Sequence, residues 1–196
     1  MLNLVIFGAP GSGKGTQSER IIERYGLYHI STGEVLRDNI ARGTELGKIA
    51  DSYISKGNLI PDELMLQVLE KTIDDNPALI QKGVIFDGFP RTIPQAEALE
   101  EMLLRHGTKL HSVIGLEVPE DELVNRMLLR GKDSGRADDN AETIKTRLNV
   151  YHKRTEPLRQ FYTDRGSYHA VDGSGDVSKI FADIANHIDS LADNNA

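Results

Sequence analysis

A glycine-rich turn near the start of the chain constrains the fold more than any other segment. A β-rich run at 3–7 leads into Gly-Ala-Pro-Gly-Ser-Gly-Lys at 8–14, and a helical pattern follows from 14 to about 25. Glycines at these spacings let backbone N–H groups turn inward around a phosphate chain, and the N-terminus of the helix adds partial positive charge. The strand, loop and helix together predict a site for a nucleoside triphosphate.

Two side chains of this phosphate loop carry the expected chemistry. Lys14 would lie against the β- and γ-phosphate oxygens, and Thr16 is the hydroxyl candidate on the helix. The usual pattern has serine or threonine directly after the lysine, whereas this chain has Gly15 there and Thr16 one place later. A tight strand-to-helix turn that needs glycine only for steric reasons is the alternative interpretation.

Strand candidates and helical segments alternate along the rest of the chain. The further strand candidates are 29–30, 84–87, 111–118 and 168–171. Helices are predicted at 31–42, 45–55, from 61, at 95–106, at 119–131, from about 141 with a break or kink at Pro157, and at 177–191, before a frayed tail at 193–196. Strands separated by helices imply right-handed crossovers, so we expect an α/β fold: a three-layer α/β/α domain with a mostly parallel central sheet.

The stretch 131–139 is predicted to be an exposed loop. It holds two glycines and five charged residues and shows no periodicity. We expect its carboxylates, Asp133, Asp138 and Asp139, to be mostly solvated, with one or two able to pair with arginines when the loop closes.

Four arginines near this loop are candidates for a local anion site. Arg126 and Arg130 are four positions apart and share one helix face. Arg136 falls in the loop, and Arg147 lies on the next helix. Because a planar guanidinium binds phosphate oxygens in pairs, their convergence would form a positive site on an acidic chain. Spacing leaves open whether they converge or are ordinary surface residues.

Two further segments would complete a site at the phosphate loop. Thr32, Gly33 and Arg37 place a hydroxyl, a bare backbone and a guanidinium near one helix end. Asp87 ends a buried strand candidate and leads into Gly-Phe-Pro-Arg-Thr at 88–92. Ligands of an open parallel sheet bind at the carboxyl ends of its strands, so these residues should face the loop. We expect Asp87 to serve Mg²⁺ through water. A loop or cap carboxylate is the alternative, as surface positions are for Arg37 and Arg91.

Four motifs together resemble the signatures of the adenylate kinase family. They are Gly-Ala-Pro-Gly-Ser-Gly-Lys-Gly-Thr-Gln at 8–17, Ser-Thr-Gly-Glu-Val-Leu-Arg at 31–37, Asp-Gly-Phe-Pro-Arg-Thr at 87–92 and Gly-Arg-Ala-Asp-Asp-Asn at 135–140. The resemblance spans essentially the whole chain, and lysine followed by Gly-Thr is the family's own form of the loop. It implies a single P-loop kinase domain with a core at 1–30, 61–129 and 140–196, an AMP-binding insertion at 31–60, and a short lid at 130–139. In so short a lid no zinc is expected.

The resemblance also implies a role for individual residues. ATP would be bound by Gly11, Ser12, Gly13, Lys14, Gly15, Thr16, Arg126, Arg130 and Gly175. AMP would be bound by Thr32, Gly33, Arg37, Asn58, Leu59, Ile60, Gly88, Phe89, Pro90, Arg91, Gln95, Arg136 and Arg147. The catalytic residues would be Lys14, Arg91, Arg130, Arg136 and Arg147, with Asp87 on the Mg²⁺ side.

The implied reaction is the reversible, Mg²⁺-dependent transfer of the terminal phosphoryl group of ATP to AMP, giving two ADP, in adenine nucleotide homeostasis and purine salvage. Alignment and electrostatic stabilisation would supply the catalysis, and no side-chain nucleophile is required. ATP must be shielded from water before the acceptor is in place. The helices between 31 and 60 and the loop at 131–139 are therefore the candidate moving parts.

Two alternatives remain at this point. A UMP/CMP-type nucleoside monophosphate kinase would share the phosphate loop and the arginines. Its relatives tend to have alanine where this chain has Thr32, and an asparagine-rich stretch near the position of Gln95. A non-catalytic ATP-binding regulatory protein would leave Arg37, Arg91 and Gln95 without a common role.

Composition limits the partners and the compartment. The net charge of −7 and a pI near 5.4 argue against nonspecific binding to nucleic acid or to anionic membranes. Zero cysteines exclude disulfides and cysteine-ligated metals, and the apolar runs are too short to span a bilayer. The first residues lack the pattern of a secretory signal. We expect a cytoplasmic protein with ATP, AMP and ADP as partners, and the resemblance implies a monomer.

Overall fold

A parallel sheet organises the molecule, for which a computed structural model describes residues 2–75, 83–134, 136 and 138–193. Within these ranges the strands are β1 (Asn3–Gly8), β2 (Tyr28–Ser31), β3 (Val84–Asp87), β4 (Ser112–Glu117) and β5 (Tyr168–Asp172). Their order across the sheet is β2-β3-β1-β4-β5, and every neighbouring pair is parallel. The predicted α/β fold with a parallel central sheet is confirmed.

Helices connect the strands and cover the sheet. In the same ranges they are α1 (Lys14–Tyr25), α2 (Thr32–Ala41), α3 (Glu45–Ile54), α4 (Asp62–Asp74), α5 (Ile93–Arg105), α6 (Glu120–Ser134), α7 (Ala141–Val150), α8 (Pro157–Asp164) and α9 (Val177–Asp193). The predicted cap of α2 is present, because Ser31 Oγ accepts a hydrogen bond from the backbone N–H of Glu34 at 3.4 Å. Among the helices of the described ranges, none has the length and apolar content needed to cross a membrane.

Both faces of the sheet are buried, because apolar side chains alternate between them along the central strands. Val5 and Phe7 of β1 join a core that also contains residues of α4, α5 and α8. Leu4 and Ile6 join a second core with residues of α1 and α9. Each such side chain contributes roughly 1.5–3 kcal/mol by its burial, so the sheet is a rigid middle layer.

Helix α6 extends further than predicted. It continues to Ser134, three residues beyond the end predicted at Gly131. Gly131 meets a packing requirement instead of ending the helix, because a Cβ at this position would lie 2.5 Å from the carbonyl oxygen of Asp139. The predicted loop at 131–139 is correspondingly shorter. Two of its residues, Gly135 and Ala137, lie outside the described residues. Met1 and residues 194–196, which belong to the predicted C-terminal tail, also lie outside them.

The long helix predicted from about 141 is interrupted before Pro157. Helix α7 ends at Val150, and a π-helical turn follows at Tyr151–Thr155. Pro157 then occupies the first turn of α8, where its missing N–H leaves no hydrogen bond unmade. The predicted break is confirmed. Two residues of the π-helical turn before it, Tyr151 and Thr155, lie at the site described below.

The segment 31–60 folds as two helices that pack with almost no space between them. A Cβ on Gly47 of α3 would overlap the backbone carbonyl of Asn39 in α2. Thr44 caps α3 by accepting a hydrogen bond from the backbone N–H of Gly47 at 3.0 Å. Its hydroxyl also donates to Asn39 Oδ1 of α2 at 2.8 Å, which links the two helices.

We therefore expect Gly47→Ala to push α2 and α3 apart and to lower the free energy of unfolding by about 1–3 kcal/mol, the usual cost of overpacking. Urea and thermal unfolding would measure the loss. Ser52→Ala, an exposed position on the same helix, is the matched control. A Gly47→Ala protein as stable as the control would contradict the close contact.

Candidate active site

The carboxyl ends of the strands bring the predicted segments together. The register aligns Ser31 of β2 and Ile6 of β1 with Asp87 of β3, so three connecting segments begin at one edge of the sheet. Across this edge, Thr32 Oγ1 donates a hydrogen bond to the carbonyl oxygen of Gly88 at 2.9 Å. The phosphate loop, the start of α2 and the segment after β3 are therefore direct neighbours, as predicted.

The phosphate loop turns on glycines with positive φ. Gly11 and Gly13 have φ of 84° and 94°, a region that glycine enters without steric cost. Gly13 is also the N-cap residue of α1, and within the described chain no side chain caps this helix. The first N–H groups of α1 and the positive end of its dipole are thus directed to the edge of the sheet, which is the arrangement that binds phosphate.

Lys14 lies in the middle of this arrangement. Its Nζ donates hydrogen bonds to the carbonyl oxygens of Gly8 and Ala9, both at 2.9 Å. Burial lowers the pKa of Lys14 to about 8; the carboxylate of Asp87 opposes this effect, and nearby arginines, among them Arg91, add to it. An anion bound here would relieve an uncompensated positive field.

Two clefts open at the phosphate loop. The first cleft is lined by twelve residues predicted to bind AMP: Thr32, Gly33, Arg37, Asn58, Leu59, Ile60, Gly88, Phe89, Pro90, Arg91, Gln95 and Arg147. Lys14 lines it as well. The second cleft is lined by seven residues predicted to bind ATP: Gly11, Ser12, Gly13, Thr16, Arg126, Arg130 and Gly175. Gly15 and Arg136 line neither cleft.

Burial and neighbouring positive charges lower the pKa of two arginines that line the first cleft. Burial lowers the pKa of Arg91 to about 10, and the charge of Arg147 lowers it further. Burial also lowers the pKa of Arg37, with the charge of Arg136 as the next cause, so Arg136 lies near Arg37 although it does not line the cleft. Both side chains are half-buried and line the first cleft, so neither is the fully solvated surface arginine considered as the alternative.

Arg126 links two loops of the second cleft. Its Nη1 donates to the carbonyl oxygen of Ser12 at 3.4 Å, and its Nη2 donates to that of Gly173 at 3.0 Å. Glu122, one turn earlier on α6, forms an ion pair with the same guanidinium. The side chain is thereby held between the phosphate loop and the loop after β5.

The prediction that Asp138 and Asp139 are mostly solvated is wrong, whereas the pairing with arginines that was allowed for one or two of these carboxylates is present. The Asp139 side chain is 0% exposed, and its carboxylate accepts hydrogen bonds from Arg130 Nε at 2.6 Å, Arg130 Nη2 at 2.9 Å and Arg147 Nη1 at 2.6 Å. Asp138 Oδ2 lies 2.9 Å from the same Arg147 nitrogen. A carboxylate between two guanidinium groups can be buried because its charge is compensated. Asp133, in contrast, is exposed as predicted.

This cluster shows how the arginines are held. Burial acts to raise the pKa of Asp139, but the hydrogen bonds and charge of Arg130 and the charge of Arg147 hold it below its usual value. One ionised carboxylate therefore orients two cations, one lining each cleft. Of the four arginines, Arg126 and Arg130 share the second cleft, whereas Arg147 lines the first and is linked to Arg130 through Asp139.

Asp87 lies at the end of β3 beside these cations. Burial acts to raise its pKa, but His29, Lys14 and Arg91 together hold it below the usual value. The Nε2 of His29 lies 3.7 Å from Asp87 Oδ2, and the Asp87 side chain is 13% exposed. The carboxylate is therefore ionised and accessible at neutral pH.

The donor groups near Asp87 fit Mg²⁺. In the described ranges, no group of three or more histidines and carboxylates could bind a metal ion by itself. Asp87 near Lys14, and Thr16, an exposed residue of the second cleft, supply oxygen donors. Mg²⁺ typically takes one or two carboxylates and completes its shell with substrate phosphates and water, which is compatible with so small a set.

Several residues at the site carry no motif and were missed from the sequence. Tyr151 and Thr155 of the π-helical turn and Met65 of α4 line the first cleft, and Val177 lines the second. Helical spacing gives these positions an ordinary core interpretation, so only the fold reveals them. Asp62, which binds Gln95, was missed for the same reason, because an acidic residue in the first turn of a helix is common.

The pKa of Lys14 predicts how nucleoside triphosphate binding depends on pH. A bound polyanion raises this pKa above about 8, so below pH 8 the lysine is charged with and without ligand and affinity is flat. Above pH 8 binding must take up a proton, and affinity should fall by up to ~10-fold per pH unit.

Isothermal titration between pH 7 and 9.5 would measure this slope, with Lys14→Met as the variant that binds weakly and lacks it. Wild-type affinity that does not change between pH 8 and 9.5 would contradict the role of Lys14.

Comparison with known proteins agrees with this geometry. Residues 6–167 match the family described as adenylate kinase. An adenylate kinase of Bacteroides thetaiotaomicron is 60% identical over 191 residues, covering 97% of this chain and 100% of that protein. The adenylate kinase of Bacteroides fragilis strain YCH46 is 58% identical with the same coverage, and that of Porphyromonas gingivalis W83 is 54% identical, covering 97% of each chain.

Proposed function

The chain belongs to the adenylate kinase family and is an enzyme that transfers a phosphoryl group between ATP and AMP, and we propose how its residues divide that reaction. The proposal rests on one observation. Lys14 lines the first cleft, while Gly13 and Thr16 on either side of it line the second. A phosphoryl group bound at Lys14 would therefore be accessible from both clefts.

We assign ATP to the second cleft. The N–H groups of the phosphate loop and the dipole of α1 would bind its phosphates. Arg130 would bind the same phosphates, Arg126 would lie over the base, and the backbone of Gly175 would contact the adenine. The residues of this subsite are Gly11, Ser12, Gly13, Lys14, Gly15, Thr16, Arg126, Arg130 and Gly175.

We assign AMP to the first cleft. The half-buried guanidinium groups of Arg37 and Arg91 are suited to its phosphate, since each can donate two parallel hydrogen bonds. Thr32 already donates its hydroxyl proton to Gly88, so toward a base it can only accept. The remaining residues of this subsite are Gly33, Asn58, Leu59, Ile60, Phe89, Pro90, Gln95, Arg136 and Arg147.

The chemistry requires position and charge, and no covalent intermediate. An anionic oxygen of AMP attacks the γ-phosphorus, the bond to the β-γ bridging oxygen breaks, and ADP leaves. Lys14, Arg91, Arg130, Arg136 and Arg147 would stabilise the charge that spreads over the transferring group. Asp139 leaves part of each guanidinium free, because Arg130 engages it through Nε and Nη2 and Arg147 through Nη1 alone.

Mg²⁺ belongs to this proposal as the cofactor of ATP. Asp87, acting through water, and Thr16 would hold it beside the phosphates. When bound, the ion would neutralise phosphate charge and fix the conformation of the polyphosphate chain.

We further infer that the protein works in the cytoplasm as a monomer, with ATP, AMP and ADP as its partners and no nucleic acid. Its net charge of −7 supports the last point. Within the single domain, 31–60 would be the AMP-binding insertion and 130–139 the short lid. Both would move toward the core 1–30, 61–129 and 140–196 and exclude water.

The acceptor assay tests this assignment. Purified protein is mixed with Mg·ATP and with AMP, UMP, CMP, dTMP or no acceptor, and the diphosphates are quantified by chromatography. We expect ADP formation to require AMP, and Arg91→Ala to lower kcat/KM by about 100- to 1000-fold.

Arg105→Ala removes an exposed arginine of α5 and is the matched control, purified in the same way. Preference for UMP or CMP would contradict the assignment of Thr32 and Gln95. Equal activity of Arg91→Ala and Arg105→Ala would contradict the acceptor site.

A further inference from the structure

Gln95 is tightly held at the base of the first cleft. Its side-chain Oε1 accepts a hydrogen bond from the backbone N–H of Arg91 at 2.8 Å, and its Nε2 donates to Asp62 Oδ1 at 2.8 Å. The residue is 2% exposed and lies in the first turn of α5. Both ends of the amide are thus engaged by the protein itself.

These two neighbours allow one orientation of the amide. The N–H of Arg91 can only donate and therefore requires the amide oxygen, whereas the carboxylate of Asp62 can only accept and therefore requires the amide nitrogen. A flipped amide would place nitrogen against N–H and oxygen against carboxylate. Two hydrogen bonds would be lost and two repulsive contacts formed.

Asp62 is itself held at a junction of three elements. It is the first residue of α4, and only Pro61 separates it from the segment 31–60. Its Oδ2 accepts a hydrogen bond from Thr92 Oγ1, the cap of α5, at 3.0 Å, and lies 3.5 Å from Arg154 Nη2 of the π-helical turn. The Asp62 side chain is 23% exposed. The carboxylate therefore has little freedom to release Gln95.

The hydrogen bonds that remain to Gln95 match one kind of base edge. A primary amide has two N–H donors and two acceptor lone pairs, of which one each is used. One N–H of Nε2 and one lone pair of Oε1 therefore remain for a ligand, and the fixed amide determines which of them faces each atom of the base. Adenine offers an N1 acceptor beside an amino donor at position 6, whereas hypoxanthine and guanine offer an N1–H donor beside an oxygen acceptor, which is the reverse order.

We propose that Asp62 is a positioning residue that sets purine specificity: by holding Nε2 of Gln95, it fixes the amide in the order that accepts a 6-aminopurine and opposes a 6-oxopurine. This inference rests on the proposed assignment of AMP to the first cleft. Asp62 contacts Gln95 and does not line the first cleft, so its effect is on discrimination and not on the phosphoryl transfer.

The test compares AMP with IMP as acceptors for Asp62→Asn. Asparagine keeps the shape of aspartate and can either accept from or donate to Gln95, so one of the two restraints on the Gln95 amide is removed and only the N–H of Arg91 still opposes a flip. We expect kcat/KM for AMP relative to IMP to fall by about tenfold, mainly through a lower KM for IMP, with kcat for AMP nearly unchanged.

Arg154→Gln is the matched control, because it removes the positive charge beside Asp62 and leaves the hydrogen bond between Asp62 and Gln95 intact. Its AMP-to-IMP ratio should equal that of the wild type. Thermal unfolding of each variant reports separately on loss of structure. A loss in Asp62→Asn that is equal for both acceptors would make Asp62 merely structural and overturn the proposal.

A second variant separates this inference from the assignment of the cleft. Gln95→Ala should lower the same ratio, and adding Asp62→Asn to it should change the ratio no further. If Gln95→Ala lowers the ratio and Asp62→Asn in the wild-type background does not, the inference about Asp62 is overturned while the cleft assignment stands. If Gln95→Ala leaves the ratio unchanged, Gln95 does not bind the adenine base. The inference about Asp62 and the assignment of AMP to the first cleft are then both overturned.

Discussion

The parallel pairing of five strands is the constraint on which the site depends. Parallel strands end at the same edge, and the register aligns Ser31 and Ile6 with Asp87, and Gly8 with Leu116. Segments far apart in sequence therefore begin side by side. Because both faces of the sheet are buried, this edge is rigid, and the groups attached to it hold their positions without a ligand.

The second requirement of the site is to keep many positive charges together. Lys14, Arg91, Arg130 and Arg147 lie where the two clefts meet. Burial lowers the pKa of Lys14 and of Arg91, and repulsion from neighbouring cations lowers both further. Asp139 offsets part of this repulsion by accepting hydrogen bonds from two of the arginines. The remaining positive field is available for phosphate, so the same arrangement that destabilises the free protein favours binding of the nucleotides.

The sequence predicts the parts of this site that carry local signals. The glycine spacing of the phosphate loop, the cap at Ser31 and the alternation of strands and helices are patterns of near neighbours, and the structure contains them. Resemblance extends the prediction to Asn58 and Gly175, which local chemistry alone does not mark. The clefts contain both residues, and the roles of individual side chains remain predictions until they are measured.

Tertiary contacts explain what the sequence does not show. A charge-rich stretch such as 131–139 suggests a solvated loop, but Asp139 is buried because Arg130 and Arg147, nine and eight positions away, neutralise it. Gly131 suggests a helix end, but its lack of a side chain serves the close approach of Asp139. Asp62 and Gln95 are 33 positions apart, and only the packing of α4 against α5 reveals their pairing.

The central claim is that one phosphoryl group passes directly between two nucleotides bound at opposite sides of Lys14. The most direct test is stereochemical. ATP whose γ-thiophosphoryl group is made chiral with oxygen isotopes is used to phosphorylate AMP, and the configuration at phosphorus in the product is determined. A single direct displacement predicts inversion, whereas retention would require a covalent enzyme intermediate and would contradict the claim.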